Sequence, residues 1–256
     1  MNPLISIITV CYNAEATIEP TLRSVDAQDT AGLDMPVYEH IVIDGASSDT
    51  TLDILAAHPN PCRTVFSEPD GGLYHAMNKG LAKTRGEYVV FLNAGDRFHG
   101  ADVVRRISRA VAGPSGPGIV YGQTVLVDND GRELGPRHLR APEHLSLASF
   151  KDGMLVCHQA FIALNKITEP FNTEFRYSAD YEWCIRCLQH SRRNAYLGDT
   201  PIIDYLSEGM TTRNRFASLK ERFKIMCYYY GTVSTVARHA GFVLRLLRAK
   251  KGQSRN

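Results

Sequence analysis

Apolar residues in the first half of the chain alternate between two kinds of run. Leu4–Val10 (LISIITV) is short, rich in β-branched residues and nearly continuous, as a strand buried on both faces reads. Ala14–Ala27 instead spaces its apolar residues at helical intervals. The alternation continues with strands at Val37–Ile43, Arg63–Phe66, Glu87–Leu92 and Ile119–Val127, separated by helices at Asp49–Ala57, Leu73–Lys83 and Ala101–Ala112. This βαβα rhythm predicts an α/β fold, a Rossmann-like and mostly parallel central sheet with helices on both faces. In such sheets a ligand lies at the carboxyl ends of the strands.

After Val127 the rhythm breaks at Asp128-Asn129-Asp130-Gly131 and at Gly135-Pro136, both strong turn signals. The pattern then predicts a helix at Pro142–Phe150, a strand at Met154–Ala163 and a helix at Ala179–Gln189. These complete one domain over 1–212, with halves at 1–127 and 128–212. A helical extension follows over 213–256, its helix running from Arg215 to about Ala249.

Composition narrows the class little, since 44% hydrophobic and 22% charged residues are ordinary for a globular chain. Charge is more informative. The net +2 conceals a tail, Gly209–Asn256, with eleven Lys and Arg against Glu221 alone, so the tail carries +10 and the preceding 208 residues −8. A basic tail on an acidic body suits an anionic surface. Its longest uncharged run, Ile225–Ala237, is 13 residues, short of the roughly 20 needed to cross a bilayer. The helix is equally suited to lie on a membrane, to pack on its own domain or to pair in a homodimer.

The opening MNPLISIITV has no basic start or cleavage site, which gives the expectation of a cytoplasmic protein with reduced thiols. Cys184 and Cys187 form a CxxC without a second pair, and read as two buried thiols one helical turn apart.

The chemistry collects at the strand ends: Tyr12-Asn13, Asp44-Gly45, Asp70-Gly71-Gly72, and Asn93 to Asp96. Carboxylates at adjacent strand ends raise each other's pKa unless a cation or donor sits among them. That favours Mg2+ or Mn2+, held by few protein oxygens while phosphates complete the shell. Two glycines before the Leu73 helix, with Lys79 nearby, make a nucleotide diphosphate a plausible occupant. Asp49, taken singly, reads as a helix cap. Neither GxGxxG nor a P-loop stands at the first strand–helix turn, and no GxSxG occurs, which excludes the usual dinucleotide, ATPase and serine-hydrolase chemistries.

Three segments, SIITVCYNAEATIEPTLRSV, IVIDGASSDTTLDIL and DGGLYHAMNKGLAKTRGEYVVFLNAGD, resemble the inverting family 2 glycosyltransferases of the GT-A fold. CHQAFI and YSADYEWCIR look like acceptor-side motifs of that family. The resemblance implies a GT-A domain whose first half binds a nucleotide sugar and whose second half binds the acceptor. It implies transfer of a sugar from a nucleotide-diphosphate sugar, UDP favoured and GDP or dTDP as alternatives, to a hydroxyl of a glycan or lipid-linked acceptor.

On this resemblance Tyr12 packs on the nucleobase, Asp44 holds it, Asp70, Asn78 and Lys79 line the nucleotide and sugar pocket, and Asp180 is the general base, with Glu182 the runner-up. The family's metal-binding DxD would put acids at 93 and 95, where this chain has Asn93 and Gly95. Asp96 is then the expected metal ligand, and Asn93 offers a neutral oxygen or a ribose contact. His158 could meet the acceptor, the diphosphate or the metal, or be a buried structural histidine. The family also suggests a peripheral enzyme of the cytoplasmic membrane face that builds cell-envelope polysaccharide, with 213–256 on anionic lipid and no nucleic-acid partner. Two competitors remain: a nucleotide-sugar-binding scaffold without catalysis, motivated by the missing DxD acid, and, more weakly, a nucleotidyltransferase.

Overall fold

The first strand, β1 (Ile5–Cys11), is buried along its whole length and pairs on both edges. In this computed structural model residues 2–33, 36–113, 116–207 and 214–240 are described. Helix α1 (Ile18–Asp26) leads to β2 (Tyr38–Asp44), α2 (Thr51–Ala57), β3 (Arg63–Ser67), α3 (Leu73–Leu81) and β4 (Tyr88–Phe91). The order β3-β2-β1-β4 is parallel throughout. Because β2 lies on one side of β1 and β4 on the other, the chain reverses its direction of progress there, and a crevice opens at the carboxyl ends of β1 and β4.

Alternation along β2 shows why helices cover both faces. Val42 packs with Ile18 and Leu22 of α1 and Leu55 of α2, whereas Ile41 and Ile43 belong to the cluster that contains Met77 of α3. Helix α3 lies close to the sheet at Gly80, where a methyl group would fall 2.5 Å from the Ile8 side chain.

The second half extends the sheet. A two-residue β5 (Arg97–Phe98) precedes α4 (Val103–Val111), β6 (Ile119–Val127) and β7 (Glu133–Pro136). The full order is β3-β2-β1-β4-β8-β6-β9-β5, with β8 at Phe161–Leu164, β9 at Asn194–Leu206 and β7 on β6. Strand β8 runs antiparallel to both β4 and β6. Helix α5 (Ala179–His190) closes over this junction, where Trp183 stacks on Phe171 at 5.0 Å and meets Phe91 edge-on at 5.7 Å.

Two expectations are corrected here, and one strand is added. The strand expected at Met154–Ala163 is confined to its last residues, because His158–Ala160 forms a 3-10 turn whose His and Gln face the crevice. The helix expected at Pro142–Phe150 is instead a 3-10 turn at Leu147–Asp152. Strand β9 was not expected at all, since Gly198 (φ 87°) and Pro201 interrupt its apolar pattern and its register with β6 shifts there.

The last described helix, α6 (Arg215–Tyr230), ends at Gly231, whose φ of 84° suits glycine at a helix C-terminus. Residues 232–240 resume as helix. Helix α6 packs on the domain: Ile225, Met226 and Ser218 are buried, and Glu221 accepts the Arg176 and Tyr177 amides at 3.0 and 2.8 Å. The remainder of the basic extension, 213 and 241–256, lies outside the described residues. Among the described residues no helix is long and apolar enough to cross a membrane.

Candidate active site

The crevice at β1 and β4 is a cavity of about 710 Å³ reaching from Tyr12 to α6. One rim is made by two strand-end turns tied together. Asn13 (φ 47°) accepts the Ser48 amide through Oδ1 and donates its own amide to Ser47 Oγ, while the Ala14 amide meets Thr51 Oγ1. Tyr12 is 65% exposed on this rim, a free aromatic face. A Cβ on Gly45 would fall 2.9 Å from Asp70 Oδ2 and 3.2 Å from the Tyr12 ring, so Tyr12, Gly45 and Asp70 meet at one point.

Asp44 is fully buried, and its carboxylate accepts from Ser47 (amide and hydroxyl), Ser67 and, more weakly, Cys11. Burial pushes its carboxyl up, but the serine donors outweigh burial and hold it below the usual range. In this arrangement Asp44 organises the loop under Tyr12 and does not line the cavity. Asn78 and Lys79 also stay outside it. The Asn78 amide pairs both ways with the Phe171 backbone at 2.9 and 2.7 Å, and Lys79 joins Glu68 at 3.0 Å and the Pro69 carbonyl at 2.7 Å.

At the centre lies Asp96, buried beside Asn93. Its Oδ2 accepts from Gln159 Nε2 at 2.7 Å and its Oδ1 from the Leu206 amide at 3.1 Å. Burial raises its carboxyl to about 6 against these donors and the nearby His158. The Thr21 hydroxyl fixes the turn, donating to the Asp96 carbonyl at 2.7 Å and accepting from the Gly95 amide at 3.0 Å. Asn93 Oδ1 is buried with no partner among the described residues. Among the described residues no group of three or more His, Cys, Asp and Glu gathers as a metal site.

Across the cavity Asp180 opens α5. Its Oδ1 accepts from Tyr74 OH at 3.0 Å and from the Tyr181 amide at 2.9 Å, while its Oδ2 faces His158 Nδ1 at 3.2 Å. The other nitrogen of His158 lies 3.3 Å from Asn93 Nδ2, which assigns Nδ1–H to Asp180 and the Nε2 lone pair to the amide. Burial alone would push Asp180 up, but His158, then Arg222 and the Tyr181 N–H, hold it below the usual carboxylate range. Glu182 is elsewhere: buried against Arg186 at 2.9 Å and the Tyr229 hydroxyl, it does not line the cavity.

Tyr12, Asn93, Asp96, His158 and Asp180 thus share one cavity. Sequence reading assigned no role to Tyr74, Gln159, Thr21 or Arg222, which the fold adds. Thr21, Tyr74 and Gln159 lie inside the quoted motifs, and that adjacency was the available signal.

Comparison with known proteins is consistent with this geometry. The family model described as "Glycosyl transferase family 2" matches residues 6–167. An uncharacterized glycosyltransferase of Mycobacterium tuberculosis is 34% identical over 192 residues, covering 72% of this chain and 68% of that protein. A PGL/p-HBAD biosynthesis glycosyltransferase of Mycobacterium bovis is 29% identical over 194 residues, covering 73% and 71%. Among solved structures, S. aureus TarS 1-349 superposes with a TM-score of 0.68 at 18% identity, covering 94% of this chain and 72% of that one. A Pyrobaculum calidifontis mannosyltransferase, PcManGT, in complex with GDP-Man and Mn2+, gives 0.63 at 16%, covering 100% and 81%. The fold is therefore of the GT-A type, and the chain belongs to glycosyl transferase family 2.

The Asp180 cluster carries a stability signature. A depressed folded pKa contributes stability that is complete above the unfolded value near 4 and is lost as pH falls through the folded value. Asp180→Asn is expected to lower the unfolding free energy by about 1–3 kcal/mol at pH 7, and the difference should shrink in urea titrations below about pH 4. A difference unchanged between neutral and strongly acidic pH would contradict an ionised, donor-stabilised Asp180.

Proposed function

We propose that this glycosyltransferase moves a sugar from a nucleotide-diphosphate sugar to a hydroxyl of a glycan or glycolipid acceptor, with inversion at the anomeric carbon. The observation that carries the reading is Asp180, a carboxylate held ionised in the same cavity as the free Tyr12 ring and Asp96. Among the described residues Oδ1 of Asp180 already accepts two hydrogen bonds, whereas Oδ2 accepts one, from His158. Oδ2 is therefore the atom that takes the acceptor proton, as the hydroxyl oxygen attacks and the sugar–phosphate bond breaks. His158 and Tyr74 hold the carboxylate in place. Tyr12 offers its face to the nucleobase, with Asp70 beside it.

The donor set fits Mg2+ or Mn2+ bound by few protein atoms. Asp96 supplies the charge, and the unpaired Asn93 Oδ1 supplies a neutral oxygen where the DxD pattern would have an acid. When bound, such a metal offsets the charge of the departing diphosphate. A UDP-sugar is the favoured donor, with GDP- and dTDP-sugars as alternatives; TarS has been solved with UDP-GlcNAc and PcManGT with GDP-Man and Mn2+. A cell-envelope glycan as product agrees with the names of the relatives, which include a putative teichuronic acid biosynthesis glycosyltransferase of Bacillus subtilis.

The GT-A domain is taken to span 1–212 and to work at the cytoplasmic membrane face through the basic segment that follows. Phe216, Lys220, Lys224 and Tyr228 recur at four-residue spacing on α6, with Phe216 89% and Tyr228 83% exposed and both lysines exposed between them. Aromatic ends flanking lysines suit a headgroup layer.

Donor screening by product formation should find transfer that stops with a chelator and returns with Mn2+, giving product of inverted anomeric configuration by NMR. Below pH of about 6 protons compete for Asp96, so Mn2+ affinity should fall about tenfold per pH unit. Undiminished transfer in chelator, or retained configuration, would overturn this part. Sedimentation with anionic vesicles should show binding that salt weakens and that Lys220→Glu with Lys224→Glu reduces; binding indifferent to both would remove the membrane assignment of α6.

A further inference from the structure

Helix α6 lends the cavity a cation that the proposed transfer does not use. Arg222 lines the cavity, its guanidinium 5.9 Å from the centroid of the Tyr181 ring, and its buried Nε has no acceptor among the described residues. Arg137 lines the same cavity, and among the described residues its guanidinium reaches the Leu139 and Leu155 carbonyls, at 3.5 and 3.4 Å. Buried guanidinium donors without an acceptor are costly, and the fork geometry of arginine matches phosphate and carboxylate oxygens. A neutral sugar hydroxyl gives two such cations little to answer.

The position of Arg222 says which substrate it faces. Helix α6 is joined to the start of α5 by Ser218 and Ser178 at 3.0 Å and by Glu221 on the Arg176 and Tyr177 amides, immediately before Asp180. The donor end, where Tyr12, Gly45 and Asp70 meet, is built by the β1 and β2 turns and the loop after β3, and α6 contributes no hydrogen bond to it among the described residues. Arg222 thus stands with Asp180, where the attacking hydroxyl must lie.

We propose that the acceptor is anionic, carrying a phosphate or carboxylate group near its attacking hydroxyl, and that Arg222, assisted by Arg137, binds that group. This rests on the glycosyl-transfer reading and deepens it. The field of Arg222 contributes to keeping Asp180 low. A bound anion offsets that field, so an anionic acceptor also makes the base that deprotonates it more basic.

The test uses the full-length protein and three synthetic acceptors bearing the same sugar: a neutral alkyl glycoside, its phosphodiester-linked counterpart and its uronic-acid counterpart. The expected result is kcat/KM higher by about tenfold or more for at least one anionic acceptor, the better one identifying the anion. The advantage should vanish in Arg222→Gln and return in part in Arg222→Lys, with the affinity for UDP or GDP, measured by calorimetry, unchanged in both. Equal use of neutral and charged acceptors overturns the proposal. So does an Arg222→Gln variant, folded by its melting curve, that loses nucleoside diphosphate affinity, since the arginine would then serve the donor. Absence of transfer and of donor hydrolysis with every nucleotide sugar would instead overturn the glycosyl-transfer reading beneath it.

Discussion

One ionised carboxylate, buried where the two halves of the domain meet, organises this molecule. Asp180 belongs to α5, but its partners come from elsewhere: Tyr74 from α3 in the first half of the chain and His158 from the 3-10 turn before β8. A charge in that position is tolerable only while each donor is in place. The packing around it serves that end. The stack of Phe171 on Trp183, with Phe91 against both, fixes α5 over β4, and Asn78 holds the Phe171 backbone in turn. Side chains that first look like ligands to a sugar are therefore part of the frame that sets the distance between the halves.

The same economy governs Asp96. Where two acids would stand in the DxD pattern, the chain has an amide and a glycine, and one carboxylate follows them. Gly95 adopts φ 101°, and a methyl group added there would fall 2.8 Å from the Leu206 side chain, so the turn is shaped for close passage of β9. The Leu206 amide then reaches Asp96, with Gln159 on the other oxygen. Burial raises the carboxyl to about 6 against these two uncharged donors, well above an ordinary aspartate, so protons compete for it only below about that pH.

The first half of the chain was legible because its signals are local. Continuous apolar strands, helical spacing and polar strand ends fixed the order β1 to β4 and the rim on which Tyr12 and Asp96 lie. What was not legible depends on distant residues. Asp44 reads as a ligand at a strand end, yet Ser47 and Ser67 occupy it, and no periodicity reveals where a serine hydroxyl turns. His158 and Gln159 sit in a β-like run, but the turn that aims them at Asp180 and Asp96 follows from satisfying buried polar groups, not from propensity. Strand β9 is masked by its own Gly198 and Pro201. Arg222 shows only as one basic residue among many until α6 docks and turns it inward.

Whether Asp180 takes the acceptor proton is tested most directly by comparing Asp180→Asn with the unaltered protein in donor binding and in transfer. The account predicts a fall in kcat of about 10²–10⁴-fold, the usual worth of a general base, with nucleoside diphosphate affinity unchanged. A variant that transfers sugar at close to the parent rate would contradict it.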